Sequence, residues 1–127
     1  MKFKLFSVYV DDQDKALQFY TEVLGFVKKI DMPVGEFKYV TVVSPEGPDD
    51  IELLLEPNDN PAARTYQEAL FQAGIPPTTF AVEDIQHKYE RMTKLGVVFR
   101  TKPTKMAWGT DAVFEDTCGN LIGLHQD

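Results

Sequence analysis

The chain holds one cysteine, few basic residues and no long apolar run, and each scarcity closes off a class of function. A lone cysteine, Cys118, forms no internal disulfide and fits a reducing cytoplasm. Thirteen basic against twenty acidic residues leave a net charge of −7. The basic footprint that nucleic-acid binding needs is missing, so no nucleic-acid partner is expected. No segment approaches the ~18–20 consecutive apolar residues of a membrane span. The opening Met1-Lys2-Phe3-Lys4 leads into a strand pattern instead of a signal peptide, so a cytoplasmic location and no membrane partner are expected. The P-loop, the dinucleotide-binding glycine fingerprint, CxxC and GxSxG are absent. The acidic runs at residues 11–14 and 46–50 lack the spacing of a calcium loop and read as helix caps and solvated turns.

What is present is a weak internal repeat. Val10-Asp11-Asp12 opens a helical stretch that closes with Leu24-Gly25-Phe26; Val82-Glu83-Asp84 opens another that closes with Leu95-Gly96-Val97. Val to Gly spans 15 residues in the first copy and 14 in the second. Each copy then runs into strands and a glycine-containing turn, Ser44-Pro45-Glu46-Gly47 and Asp116-Thr117-Cys118-Gly119. Two matching halves in 127 residues predict one domain built from two similar modules with a cavity between them.

The local pattern gives each module the order βαβββ. Residues 3–10 alternate as a strand, with Phe6, Val8 and Val10 on one face and Leu5, Ser7 and Tyr9 on the other. Asp12 caps a helix whose stripe is Ala16, Leu17, Tyr20, Val23 and Leu24, and Gly25 ends it. Strands follow at 26–30, 37–43 and 51–56, with a turn at 33–35. A linking helix at 62–73 leads to a second unit: a strand at 78–82, a helix from its Asp84 cap to Leu95, and strands at 97–100, 111–115 and 121–126. Module one is thus 1–57, the linking segment 58–75 and module two 76–127. The expected fold class is α+β, with eight strands curved around a cleft.

Three segments carry a family resemblance. VDDQDKALQFYTEVLGF at residues 10–26, DIELLLEP at 50–57 and VFEDTCGNLIGL at 113–124 resemble the opening helix, fourth strand and closing strand–turn–strand of one superfamily. It is the glyoxalase/bleomycin-resistance/extradiol-dioxygenase, or vicinal oxygen chelate, superfamily. The resemblance spans essentially the whole chain and implies paired βαβββ modules and a homodimer. Metal-dependent members hold a divalent ion with one side chain each from the first, fourth, fifth and eighth strands. Carried over, those positions are Leu5, Glu52, Pro77 and Gly123. Leu, Pro and Gly side chains offer a metal no donor, and one carboxylate is not a site. The resemblance therefore implies a metal-depleted member with no cofactor, nearer to the bleomycin-binding proteins, which sequester a ligand without transforming it.

Strand alternation nominates the cleft residues Leu5, Ser7, Tyr9, Glu52, Leu54, Thr79 and His125, with Glu56 beyond Leu54 and Trp108 in a loop over 104–110. A largely apolar lining with a few polar groups suits a small, partly apolar ligand. Glu52, if buried among apolar groups, would have its pKa raised and could act as a general base with His125. The alternative readings are thus a lyase, isomerase or dioxygenase-type enzyme using Glu52 with His125 or a relocated metal, and a protein whose pocket is filled by its own side chains. The second histidine, His87, lies early in the second helix as a surface residue. Cys118 has no histidine or cationic partner to activate it as a nucleophile.

Overall fold

A computed structural model describes residues 1–127. The fold is α+β, two βαβββ modules in succession, and the chain divides into two compact units, Met1–Thr65 and Tyr66–Asp127.

The first unit contains strand β1 (Leu5–Val10) and helix α1 (Gln13–Gln18), which runs on as a π-helical turn (Phe19–Val23). Strands β2 (Val27–Val34), β3 (Phe37–Val43) and β4 (Glu52–Pro57) follow. Their order in the sheet is β1-β4-β3-β2, with β1 parallel to β4 and the other pairs antiparallel. Asp12 starts the helix by accepting a hydrogen bond from the Lys15 backbone N–H at 3.0 Å. The helix then packs on β3 and β4. Ala16, Phe19 and Tyr20 bury their side chains, as do Val8, Val10, Val40, Val42 and Leu55 of the sheet. Removing each large apolar side chain from water contributes about 1.5–3 kcal/mol, so this face holds the unit together. Gln13 ties the helix start to two strands: its Nε2 donates to the Lys38 and Leu55 carbonyls, and its Oε1 accepts from the Lys38 N–H.

Helix α2 (Pro61–Ala73) carries the chain from the first unit into the second. The second unit continues with β5 (Thr78–Ala81), α3 (Ile85–Lys94), β6 (Phe99–Met106), β7 (Gly109–Glu115) and β8 (Leu121–Gln126). The sheet order is β5-β8-β7-β6, the same arrangement as in the first unit. Asp84 caps α3 through the His87 N–H at 3.1 Å. Ile85, Met92, Val97, Ala112, Phe114, Ile122 and Leu124 form its core. The turn between β7 and β8 is organised by fully buried Asp116, whose carboxylate accepts from the Cys118 and Asn120 backbone N–H groups and from the Asn120 amide. Gln67 of α2 donates to the Cys118 carbonyl and to Asn120 Oδ1. Cys118 is buried in this turn.

The eight strands thus form two four-stranded sheets. Most boundaries shift by one or two residues, and two strands run well beyond the sequence reading. β2 runs to Val34, so the turn falls at Gly35-Glu36, because Met32 and Val34 continue the pairing with Tyr39 and Phe37. β6 runs to Met106, so the expected 104–110 loop shrinks to the Ala107-Trp108 turn. Pro103 hid that strand; β6 is a sheet edge, where a missing N–H is tolerated, and its register shifts between Thr101 and Thr104.

Candidate functional site

The face of the first sheet opposite α1 carries the first group of candidates. Parallel pairing sets Leu5 beside Glu52, Ser7 beside Leu54 and Tyr9 beside Glu56, and antiparallel pairing adds Thr41 beside Leu54. Partners in register point to the same side of a sheet, so these residues share one face. Leu5 and Ser7 are exposed, Tyr9 is half-buried, and Glu52 and Leu54 are buried.

Glu52 is 5 % exposed yet fully partnered. Lys4 Nζ donates to its Oε2 at 2.9 Å, Thr41 Oγ1 donates to its Oε1 at 2.8 Å, and Lys29 Nζ lies 3.8 Å away. The Lys4 hydrogen bond, then that of Thr41, holds the carboxyl below the ordinary glutamate range and outweighs burial, which acts the other way. This corrects the expectation that burial would raise its pKa: the neighbours are a lysine and a hydroxyl, not apolar groups. Glu52 is an ionised anchor.

Beside it the face opens into a groove of about 260 Å³. Val34, Phe37, Tyr39, Leu54 and Pro57 give it apolar walls, and Lys38 and Glu56 complete the lining. Lys38 is engaged with Asp14 at 2.8 Å. Phe37, Tyr39 and Val34 were not among the nominated residues. Ending the second strand at Ile30 hid Val34, for which the alternation of Ile30, Met32 and Val34 was the available signal. Phe37 and Tyr39 lie in the strand expected at 37–43, but the strand nominations drew on the first, fourth, fifth and eighth strands alone.

The second unit holds the other candidates. Thr79 pairs with Gly123, and Asp111 with His125. Thr79 stands over Gly123: a Cβ at 123 would press into its hydroxyl and lie 3.2 Å from its Cβ. His125 is clamped, Nδ1 to Asp111 at 2.6 Å and Nε2 to Asp127 at 2.9 Å. The Asp111 hydrogen bond, then that of Asp127, pushes the imidazole above its ordinary pKa, favouring the cation. Asp111 in turn is held low, first by His125 and then by Trp108, whose Nε1 donates to it at 2.7 Å. Trp108 is otherwise exposed at the hairpin tip. Gly109 makes room for this cluster, since a Cβ there would meet the Gln126 carbonyl at 2.5 Å and His125 Cε1 at 2.7 Å. Glu52 and His125 therefore each find their partners within their own unit. Asp111, which organises the second cluster, was legible in the sequence only as the start of a strand.

No three or more His, Cys, Asp or Glu side chains group as a metal centre. The side chains of Leu5, Pro77 and Gly123 have no donor atom for a metal, and both oxygens of Glu52 are taken by Lys4 and Thr41.

Comparison with known proteins fits this architecture. The YurT protein of Bacillus subtilis (strain 168) is 56% identical over 126 residues, covering 99% of each chain. The crystal structure of UcmS2 superposes with a TM-score of 0.85 at 32% identity, over 100% of this chain and 98% of that one. TnmS3, an antibiotic binding protein from Streptomyces sp. CB03234, superposes with a TM-score of 0.79 at 29% identity, over 99% and 95%. A family model matches residues 2–124, and the chain belongs to the Glyoxalase/Bleomycin resistance protein/Dioxygenase superfamily.

Proposed function

We propose that this protein binds a small, partly apolar molecule on the open face of the first sheet, without the superfamily's metal ion and without transforming its ligand. The observation that carries the reading is the groove walled by Phe37, Tyr39 and Leu54 beside a Glu52 already neutralised by Lys4. Apolar walls with a few fixed polar groups are the usual make-up of a small-molecule site. A general base needs a pKa near the working pH. Glu52 is pushed below its usual range, away from that role, and both ring nitrogens of His125 are engaged by Asp111 and Asp127. The donor-poor set Leu5, Pro77 and Gly123 supports binding that does not pass through a metal. The similarity to TnmS3, an antibiotic binding protein, points the same way.

In this reading Leu5, Ser7, Tyr9, Glu52 and Leu54 form the ligand face of the first unit. The protein acts as a cytoplasmic homodimer. Exposed Phe3 and Phe6, with ring centroids 5.7 Å apart, are the kind of surface that association covers.

The test is a thermal-shift screen of chelator-treated protein against a panel of apolar antibiotics, with Tyr39→Ala as the groove variant. A compound that raises the melting temperature of the wild type and loses that effect in Tyr39→Ala supports the reading. Rapid chemical turnover of such a compound, or ligands that stabilise both proteins equally, would overturn it.

A further inference from the structure

The strands of the first sheet carry three carboxylates, Asp31, Glu52 and Glu56. Two of them have a lysine: Asp31 with Lys28 at 3.7 Å, and Glu52 with Lys4 at 2.9 Å. The Glu56 carboxylate has neither an ion pair nor a hydrogen bond, although the residue is half-buried and lines the groove. The one cation at the groove, Lys38, is committed to Asp14. The groove therefore presents a single uncompensated charge, and it is negative.

Its setting sharpens the point. Phe37 and Tyr39 supply aromatic surface to the same groove. An ammonium is the group that gains from both neighbours, pairing with a carboxylate and lying against ring faces. A neutral ligand covering Glu56 would strip water from the carboxylate and return nothing, a penalty that discriminates against it. A carboxylate ligand would add like-charge repulsion in a chain of net charge −7.

We infer that the ligand is a cation with an apolar body, its ammonium seated on Glu56 and its apolar part against Phe37, Tyr39 and Leu54. This rests on the groove being the binding site, and it adds the charge class of what binds there.

A matched pair of probes tests it: 1-naphthylmethylammonium and the neutral 1-naphthylmethanol, which share one apolar body. Each is titrated at neutral pH into wild-type protein and Glu56→Gln while backbone amide shifts are followed by NMR. Glu56→Gln keeps the side chain's shape and touches no hydrogen bond, and an unchanged spectrum away from the groove verifies that it folds. The ammonium should shift the Tyr39, Leu54 and Glu56 amides and bind about tenfold or more tightly than the alcohol, the scale of a charge-assisted hydrogen bond. Glu56→Gln should bring it down to the level of the alcohol. If both probes shift the groove amides equally and the variant changes neither, the charge preference is wrong and the groove stands. If the ammonium shifts amides scattered over the acidic surface and ignores Glu56→Gln, the Glu56 site is overturned. If neither probe moves the groove amides, the binding face itself falls and the inference with it.

Discussion

The Thr79 side chain stands in the space that any side chain at position 123 would need, with its Cβ 3.2 Å from where a Cβ at 123 would sit. By the family resemblance, position 123 corresponds to the eighth-strand carboxylate of metal-dependent members. Threonine is branched at Cβ and has few rotamers to retreat into. Rebuilding the carboxylate as Gly123→Glu should therefore destabilise the protein by ~1–3 kcal/mol, the scale of overpacking. Denaturant unfolding measures the loss. The smaller Gly123→Ala should cost clearly less in a Thr79→Ala background than in wild type; equal costs in both backgrounds would show that Thr79 is not the obstacle.

Acid stability reports on Glu52. An unfolded glutamate titrates near ~4.3, and the folded carboxyl lies lower because Lys4 and Thr41 donate to it. The stability it contributes is fully present above the unfolded value and is lost as pH falls through the folded one. Glu52→Gln should flatten that limb of the curve and lower stability at neutral pH by ~1–2 kcal/mol, the scale of hydrogen bonds to a charged group. A Glu52 carboxyl seen by NMR to titrate above the ordinary glutamate value would contradict this account and restore a base to the site.

His125 behaves in the opposite sense. Asp111 and Asp127 raise its folded pKa, so its contribution is fully present below the unfolded value near ~6.5 and is lost as pH rises through the folded value. Trp108 is the sole tryptophan and hydrogen-bonds Asp111, so its emission reads the cluster directly. Emission should change on the alkaline side of ~6.5 in wild type and stay flat across that range in His125→Gln. A wild-type profile that is flat there would show that the clamp does not hold the imidazolium.

Much of this architecture was legible in the chain. The Asp12 and Asp84 caps and the apolar stripe through Ala16 and Tyr20 each follow from local chemistry, and each is seen in the structure. Alternation also put Leu5, Ser7, Glu52 and Leu54 on one face, as the pairing of β1 with β4 has it. What local pattern could not supply was partnership across long separations. Lys4 and Glu52 lie 48 residues apart, and only the sheet brings them together, which leaves Glu52 paired and not the titrating base of the enzyme alternative. The full lengths of β2 and β6 were hidden by Pro33 and Pro103, which read as breaks but lie on edge strands. The groove residue Val34 was lost with the first of these.

The central claim is ligand binding that does not pass through a metal. Its most direct measurement is the melting-temperature rise caused by a groove ligand, recorded before and after exhaustive EDTA treatment and again after adding back zinc, nickel, manganese or iron(II). Leu5, Pro77 and Gly123 bring no donor atoms, and Glu52 is spent on Lys4 and Thr41, so the rise should be the same in all three states. A rise that vanishes on chelation and returns with one equivalent of metal would contradict the account.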